Sequence, residues 1–189
     1  MIKLGLLGVL VLLVGLCSLG YHNATQPYRT LPRMTLSSDS VAVAHAKVDD
    51  VQSAFDRAQA SGKVQPFSQT FTDGELTSLA VQKLDPTEIT GLALHSSDDG
   101  YLEATATGRF GGQQFPLYIR ARISTADGQP QLTLIDTRIG SVAVPGVLKD
   151  QINNALQQSA SVDFDHSRIA DLKVAVGAGQ ITVSGTAEP

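Results

Sequence analysis

An α+β fold with antiparallel strands is what this 189-residue sequence predicts. Two rhythms carry the prediction. Apolar residues recur every three or four positions from Val41 to Ala58, and they alternate every second position from about residue 88 onward. Glycine-rich turns divide the alternating stretch into short runs, giving about seven strands with helices inserted between them. A hydrophobic content of 42% suits a globular interior, and aromatics at 5% with no Trp mean that Val, Leu, Ile and Ala must build it.

The first element is apolar throughout. After Lys3, residues Leu4 to Leu19 carry no charge, and Ile2–Tyr21 is long enough to span a thin bilayer with Tyr21 at the interface. Ser18-Leu19-Gly20 also offers a small-x-small cleavage triplet. The reading adopted is an uncleaved single-pass anchor over residues 1–20, with the membrane contacted through residues 2–21 and the rest of the chain outside the cytoplasm. Cys17, the only cysteine, lies inside this run behind Leu16, where a lipoprotein signal wants a small residue, so neither lipidation nor a disulfide is expected. Residues 21–40 mix Pro, Ser, Thr and Asn without period and read as a linker, leaving 41–189 as one extracytoplasmic domain. That domain has 11 Lys and Arg against 17 Asp and Glu, which argues against a nucleic-acid partner and against broad adhesion to anionic lipid.

Within the domain, Val41, Ala44, Val48, Val51, Phe55 and Ala58 form the seam of an amphipathic helix, with Ser40 as cap and Gly62 as stop. Residues 64–71 read as a strand and 72–84 as a second helix. Thr72 and Glu75 supply its capping box, and Leu76, Leu79, Ala80 and Leu84 its buried face. Asp85-Pro86 ends it.

The runs 101–110 and 115–124 pair as a hairpin. Placing Phe110 opposite Phe115 sets Leu102, Ala104 and Ala106 against Ile123, Ala121 and Ile119 on a dry face. Glu103, Thr105 and Thr107 then meet Arg122, Arg120 and Tyr118 on a wet one. Residues 131–140 continue the meander with Leu132 and Leu134 inward, and Ser141–Val144 extend that strand. Pro145 suits the first turn of a helix, where its missing N–H is no loss; Leu148, Ile152, Ala155 and Leu156 share one face of that helix. A closing hairpin sets Leu172, Val174 and Val176 against Ile181 and Val183.

Chemically armed motifs are scarce. His95 sits in the turn-forming run His95–Gly100, and His45 beside the helical seam. Asp163, Asp165 and His166 are too few for a metal site without a second histidine at ligand spacing. No Gly-x-Ser-x-Gly elbow occurs, and the glycines of 108–112 and 177–179 sit at hairpin turns rather than in a phosphate loop. Arg109, Arg120, Arg122 and Arg138 read as a solvated sheet face. No cofactor and no enzymatic activity are expected.

The apolar N-terminus, Phe71–Leu79, the run Arg138–Ile152 and the closing Val176–Gly185 together resemble the YpmS-like family of single-pass bacterial envelope proteins. More distantly they resemble actinobacterial LmeA-type proteins, and both are similar to the tubular lipid-binding (TULIP) superfamily. The resemblance implies a curved antiparallel sheet wrapped around a long amphipathic helix, with an apolar groove. The residues expected to line that groove are Val48, Val51, Phe55, Leu102, Ile119, Ile123, Leu134, Leu148 and Ile152. The expected function is non-catalytic binding of a lipid or other apolar ligand by a membrane-anchored module. The alternative is an envelope scaffold with a self-filled interior that acts through a membrane-protein partner.

Overall fold

The computed structural model describes residues 24–32, 38–126, 129–146, 149–150, 153 and 168–189. Its elements run α1 (Ser38–Ser61), β1 (Gln65–Thr72), α2 (Asp73–Lys83), β2 (Ile89–Ser96), β3 (Tyr101–Phe110) and β4 (Gln113–Ala126). They continue with β5 (Gln129–Ile139), β6 (Val142–Ala143), β7 (Ile169–Gly177) and β8 (Gln180–Ala187). The α+β class and the antiparallel pairing agree with the sequence reading, but the described strands form two sheets instead of one. A five-stranded sheet runs β2-β3-β4-β5-β6, and a three-stranded sheet runs β1-β8-β7. The division follows from β8, which returns from the chain's end to pair with β1, so that Phe71 lies opposite Ile181.

Helix α1 buries the predicted seam. Ala44, Val51, Phe55 and Ala58 are buried together with Ala54, and Val51 through Ala58 pack with Ala187, Phe67 and Ile169 of the three-stranded sheet. The Phe55 and Phe67 rings meet at 5.9 Å between centroids. Helix α2 carries the predicted cap: Thr72 N donates to Glu75 Oε2 at 2.8 Å, and Glu75 N donates to Thr72 Oγ1 at 3.3 Å. Its buried side chains are Asp73, Glu75, Thr77 and Ser78, whereas Leu76, Leu79, Ala80 and Leu84 are only half-buried. The reason is position. The first turn of α2 is wedged between α1, β2 and the β7–β8 turn, so its polar groups find partners there.

One of those partners is Lys47 of α1. Its Nζ donates to Glu75 Oε1 and Oε2 at 2.8 and 2.7 Å and to Thr70 O at 2.7 Å. Burial alone would raise the Glu75 pKa, but Lys47 and the Thr72 N–H and hydroxyl outweigh it and hold the carboxyl below its ordinary range. A depressed folded-state pKa gives stability that is complete above the unfolded value of about 4.3 and is lost as pH falls through the folded value. Replacing Lys47 with Met is therefore expected to destabilise by about 2–3 kcal/mol at neutral pH, somewhat below the usual loss for a broken buried pair because Thr72 remains. Urea midpoints of the two proteins should converge as pH falls through the depressed folded-state value of Glu75, where its carboxyl becomes protonated in both.

The β3–β4 hairpin keeps its predicted faces but slips by two residues. Glu103 lies opposite Arg120, Ala104 opposite Ile119 and Phe110 opposite Gln113. Gly111 and Gly112, with φ of 55° and 81°, make a two-residue turn in which both central residues occupy the left-handed region. A shift of two preserves the side-chain alternation, so the apolar residues stay together. Ser141–Val144 do not extend β5. Gly140, at φ 58°, reverses the chain, and Val142 pairs back with Ile139. Helical backbone then begins after Pro145, whose carbonyl accepts from Lys149 N at 3.0 Å. Lys149 Nζ donates to Ile135 O and Leu134 N donates to Asn153 Oδ1, capping the open edge of β5.

The largest departure concerns residues 24–32, predicted as part of a free linker. They form a strap against the five-stranded sheet. Ala24 is fully buried with Phe115 and Ile139, beside Leu117 and Val144, and Leu31 is buried as well. The Tyr28 ring meets Tyr118 in a tilted contact, 5.1 Å between centroids and 58° between planes, with the Arg138 guanidinium 3.9 Å from the Tyr28 ring centre. Arg29 Nη1 donates to Glu103 Oε1 at 2.7 Å. The face predicted to be wet is thus partly dry: Glu103 and Tyr118 are 2% and 4% exposed.

Candidate functional site

Alternation in β3, β4 and β5 directs Leu102, Ala104 and Ala106 to the same face as Leu117, Ile119, Ala121 and Ile123, and as Leu132 and Leu134 across the β4–β5 pairing. A bulge between Arg120 and Ala121 puts Ile135 out of step, leaving it 40% exposed, and keeps Leu134 inward at 4%. Ala121, Leu134, Phe115 and Ile139 are buried, whereas Leu102, Ala104, Ala106, Leu117, Ile119, Ile123 and Leu132 remain half-buried. Strand β7 runs close to β4 and β5. Thr137, opposite Ile119 on this face, is buried with no hydrogen-bond partner for its Oγ1.

The predicted groove residues therefore fall into groups. Leu102, Ile119, Ile123 and Leu134 share the apolar face of the five-stranded sheet. Val51 and Phe55 lie in the core between α1 and the three-stranded sheet, and Val48 is half-buried one turn earlier on α1. Leu148 and Ile152 lie outside the described residues, as do the anchor Ile2–Tyr21 and the Asp163–His166 cluster. Among the described residues no helix is long and apolar enough to cross a membrane, and no three His, Cys, Asp or Glu side chains are placed to hold a metal ion.

On the opposite face Glu103 gathers several partners. Its Oε1 accepts from Arg29 and, at 3.0 Å, from Tyr118 Oη, with Arg120 Nε 3.6 Å away. Burial first, then the Glu103 carboxylate, push the Tyr118 phenol above its ordinary pKa. Arg120 pairs with Asp99 at 2.7 Å, and Arg120 and Arg122 both lie over the Tyr101 ring. The predicted paired arginine face is thus present at Arg120, with Glu103 as a buried hub that alternation alone could not reveal. Between strap and sheet lies a cleft of about 680 Å³, bordered by Thr25, Thr30, Thr90, Thr105, Thr107 and Pro116 among others.

His95 lies at the end of β2 and not in a turn, with its Nδ1 2.9 Å from Asp73 Oδ2. Asp73 Oδ1 accepts from Ser96 N at 2.9 Å and from Ser96 Oγ. Serine, aspartate and histidine are therefore assembled, but both the hydroxyl and the imidazole point at the carboxylate. A nucleophilic triad needs the hydroxyl on the imidazole instead. In this arrangement the Asp73 carboxylate ties the first turn of α2 to the end of β2.

Neither a scan of protein-family models nor a comparison with curated proteins finds a match to this chain.

Proposed function

We propose that the protein is a membrane-anchored, extracytoplasmic, non-catalytic module that binds an acyl chain or similar apolar ligand. The observation supporting this reading is the half-buried apolar face of β3–β5, which α1 does not take up because its seam is used on β1, β8 and Ile169. A curved sheet closing over this face would make the trough that the TULIP resemblance implies. The unpartnered Thr137 hydroxyl would meet a ligand's ester or hydroxyl within it.

The test is a soluble form of residues 22–189, retaining the strap, extracted with organic solvent and analysed by mass spectrometry. One lipid per protein is the expected result. Empty preparations whose thermal midpoint is unmoved by added lipid would reject it and favour the scaffold alternative. Replacing Ile119 with Trp should abolish lipid recovery while leaving the fold intact. If that face is solid core, the same change will overpack it and destabilise by about 1–3 kcal/mol.

A further inference from the structure

We propose that the β4–β6 corner of the domain rests on the outer surface of the membrane its own N-terminal segment enters; this depends on the anchor reading above. The first argument is reach. The uncharged run ends at Leu19, and Ala24 is already fully buried against Phe115 and Ile139. The five steps from Leu19 to Ala24 span at most about 18 Å when fully extended, so this end of the sheet is held within that distance of the apolar run. Tyr28 and Arg29 fasten the strap further along.

The second argument is charge. From Val41 onward the chain carries 17 acidic and 11 basic residues, yet the loops beside Ala24, Gly111–Gln114 and Gly140–Gly146, contain no charged residue. Arg109 is exposed just before the first loop, and Val142 is 37% exposed in the second. Asp136 is the carboxylate tied to this corner, and it is neutralised there by Arg138, whose Nη1 also donates to Ser141 O; Glu88 lies on the β2 side, where its carbonyl accepts from Arg109 N. At the far end the β2–β3 turn presents Asp98 and Asp99 to solvent. An anionic lipid surface repels the acidic end and β2 side and tolerates the neutral corner, so charge and tether favour the same orientation.

The full chain with Cys17→Ser tests this when it carries one new labelled cysteine, Val142→Cys or Asp98→Cys, with Ala143→Cys as a second probe of the corner. The host is phosphatidylcholine–phosphatidylglycerol vesicles bearing a nitroxide on the lipid headgroup. Fluorophores at 142 and 143 are expected to lose most of their emission, and the fluorophore at 98 to keep most of it. Equal quenching at both ends in protein that floats with the vesicles overturns the orientation while leaving the anchor intact. Failure to float overturns the anchor reading and this inference with it.

Discussion

A soluble form that starts at residue 37 will be less stable than one that starts at residue 22, by roughly 2–4 kcal/mol, or about 4–16 °C in thermal midpoint for a chain of this size. Removing the strap uncovers the apolar surface now buried by Ala24 and Leu31 and takes away the tilted ring contact of Tyr28 with Tyr118. It also strips Glu103 of its Arg29 partner. Folding of the shorter chain no longer has to order the strap, and that saved conformational entropy keeps the loss modest despite the number of contacts broken. Arg29→Ala alone should show a smaller effect, about 1 kcal/mol, because the arginine side chain is 53% exposed and its charge is screened. Urea denaturation of the three forms measures both differences. Equal midpoints for the two lengths would return residues 24–32 to the status of a plain linker.

The strap shows where sequence reading ran short. The capping box of α2 was legible because Thr72 and Glu75 lie three positions apart. The α1 seam and the dry face of the hairpin were legible because periodicity is local, and it survives even a register error of two. That error arose from preferring an aromatic pair, Phe110 with Phe115, over Gly111-Gly112, whose side chains make no obstacle to a tight turn. The strap has no periodicity, and its one ion pair among the described residues joins Arg29 to Glu103, 74 positions away. Nothing in the spacing of either residue announces the other. The division into two sheets was hidden for the same reason: β1 and β8 each read as strands, but alternation does not say which strand is whose neighbour. Of the candidate groove, the part confined to one hairpin and its successor came together, whereas sharing between α1 and that sheet was a tertiary question.

Asp73→Ala is expected to destabilise by about 3–4 kcal/mol, because it leaves the fully buried Ser96 N–H and hydroxyl without their acceptor. The same residue joins three parts of the fold. Its backbone N–H donates to Gly179 O at 3.0 Å, and Gly179 N donates to Ser96 O at 2.9 Å, so α2, β2 and the β7–β8 turn meet around this one residue, with the carboxylate fixing its β2 side. The negative charge also sits in the first turn of α2, where the helix dipole favours it. Asp73→Asn keeps one oxygen acceptor and should lose less, about 1–2 kcal/mol. The informative comparison is with His95→Ala. A joint predicts a mild loss, about 1 kcal/mol or less, since the ring is 39% exposed and water can replace it at Asp73. A catalytic dyad predicts the same order in stability but has His95→Ala abolish an activity, so a wild-type activity lost in His95→Ala at an unchanged midpoint would overturn the joint. Thermal midpoints in which Asp73→Ala falls far below His95→Ala would establish the cluster as the place where the two sheets are tied together.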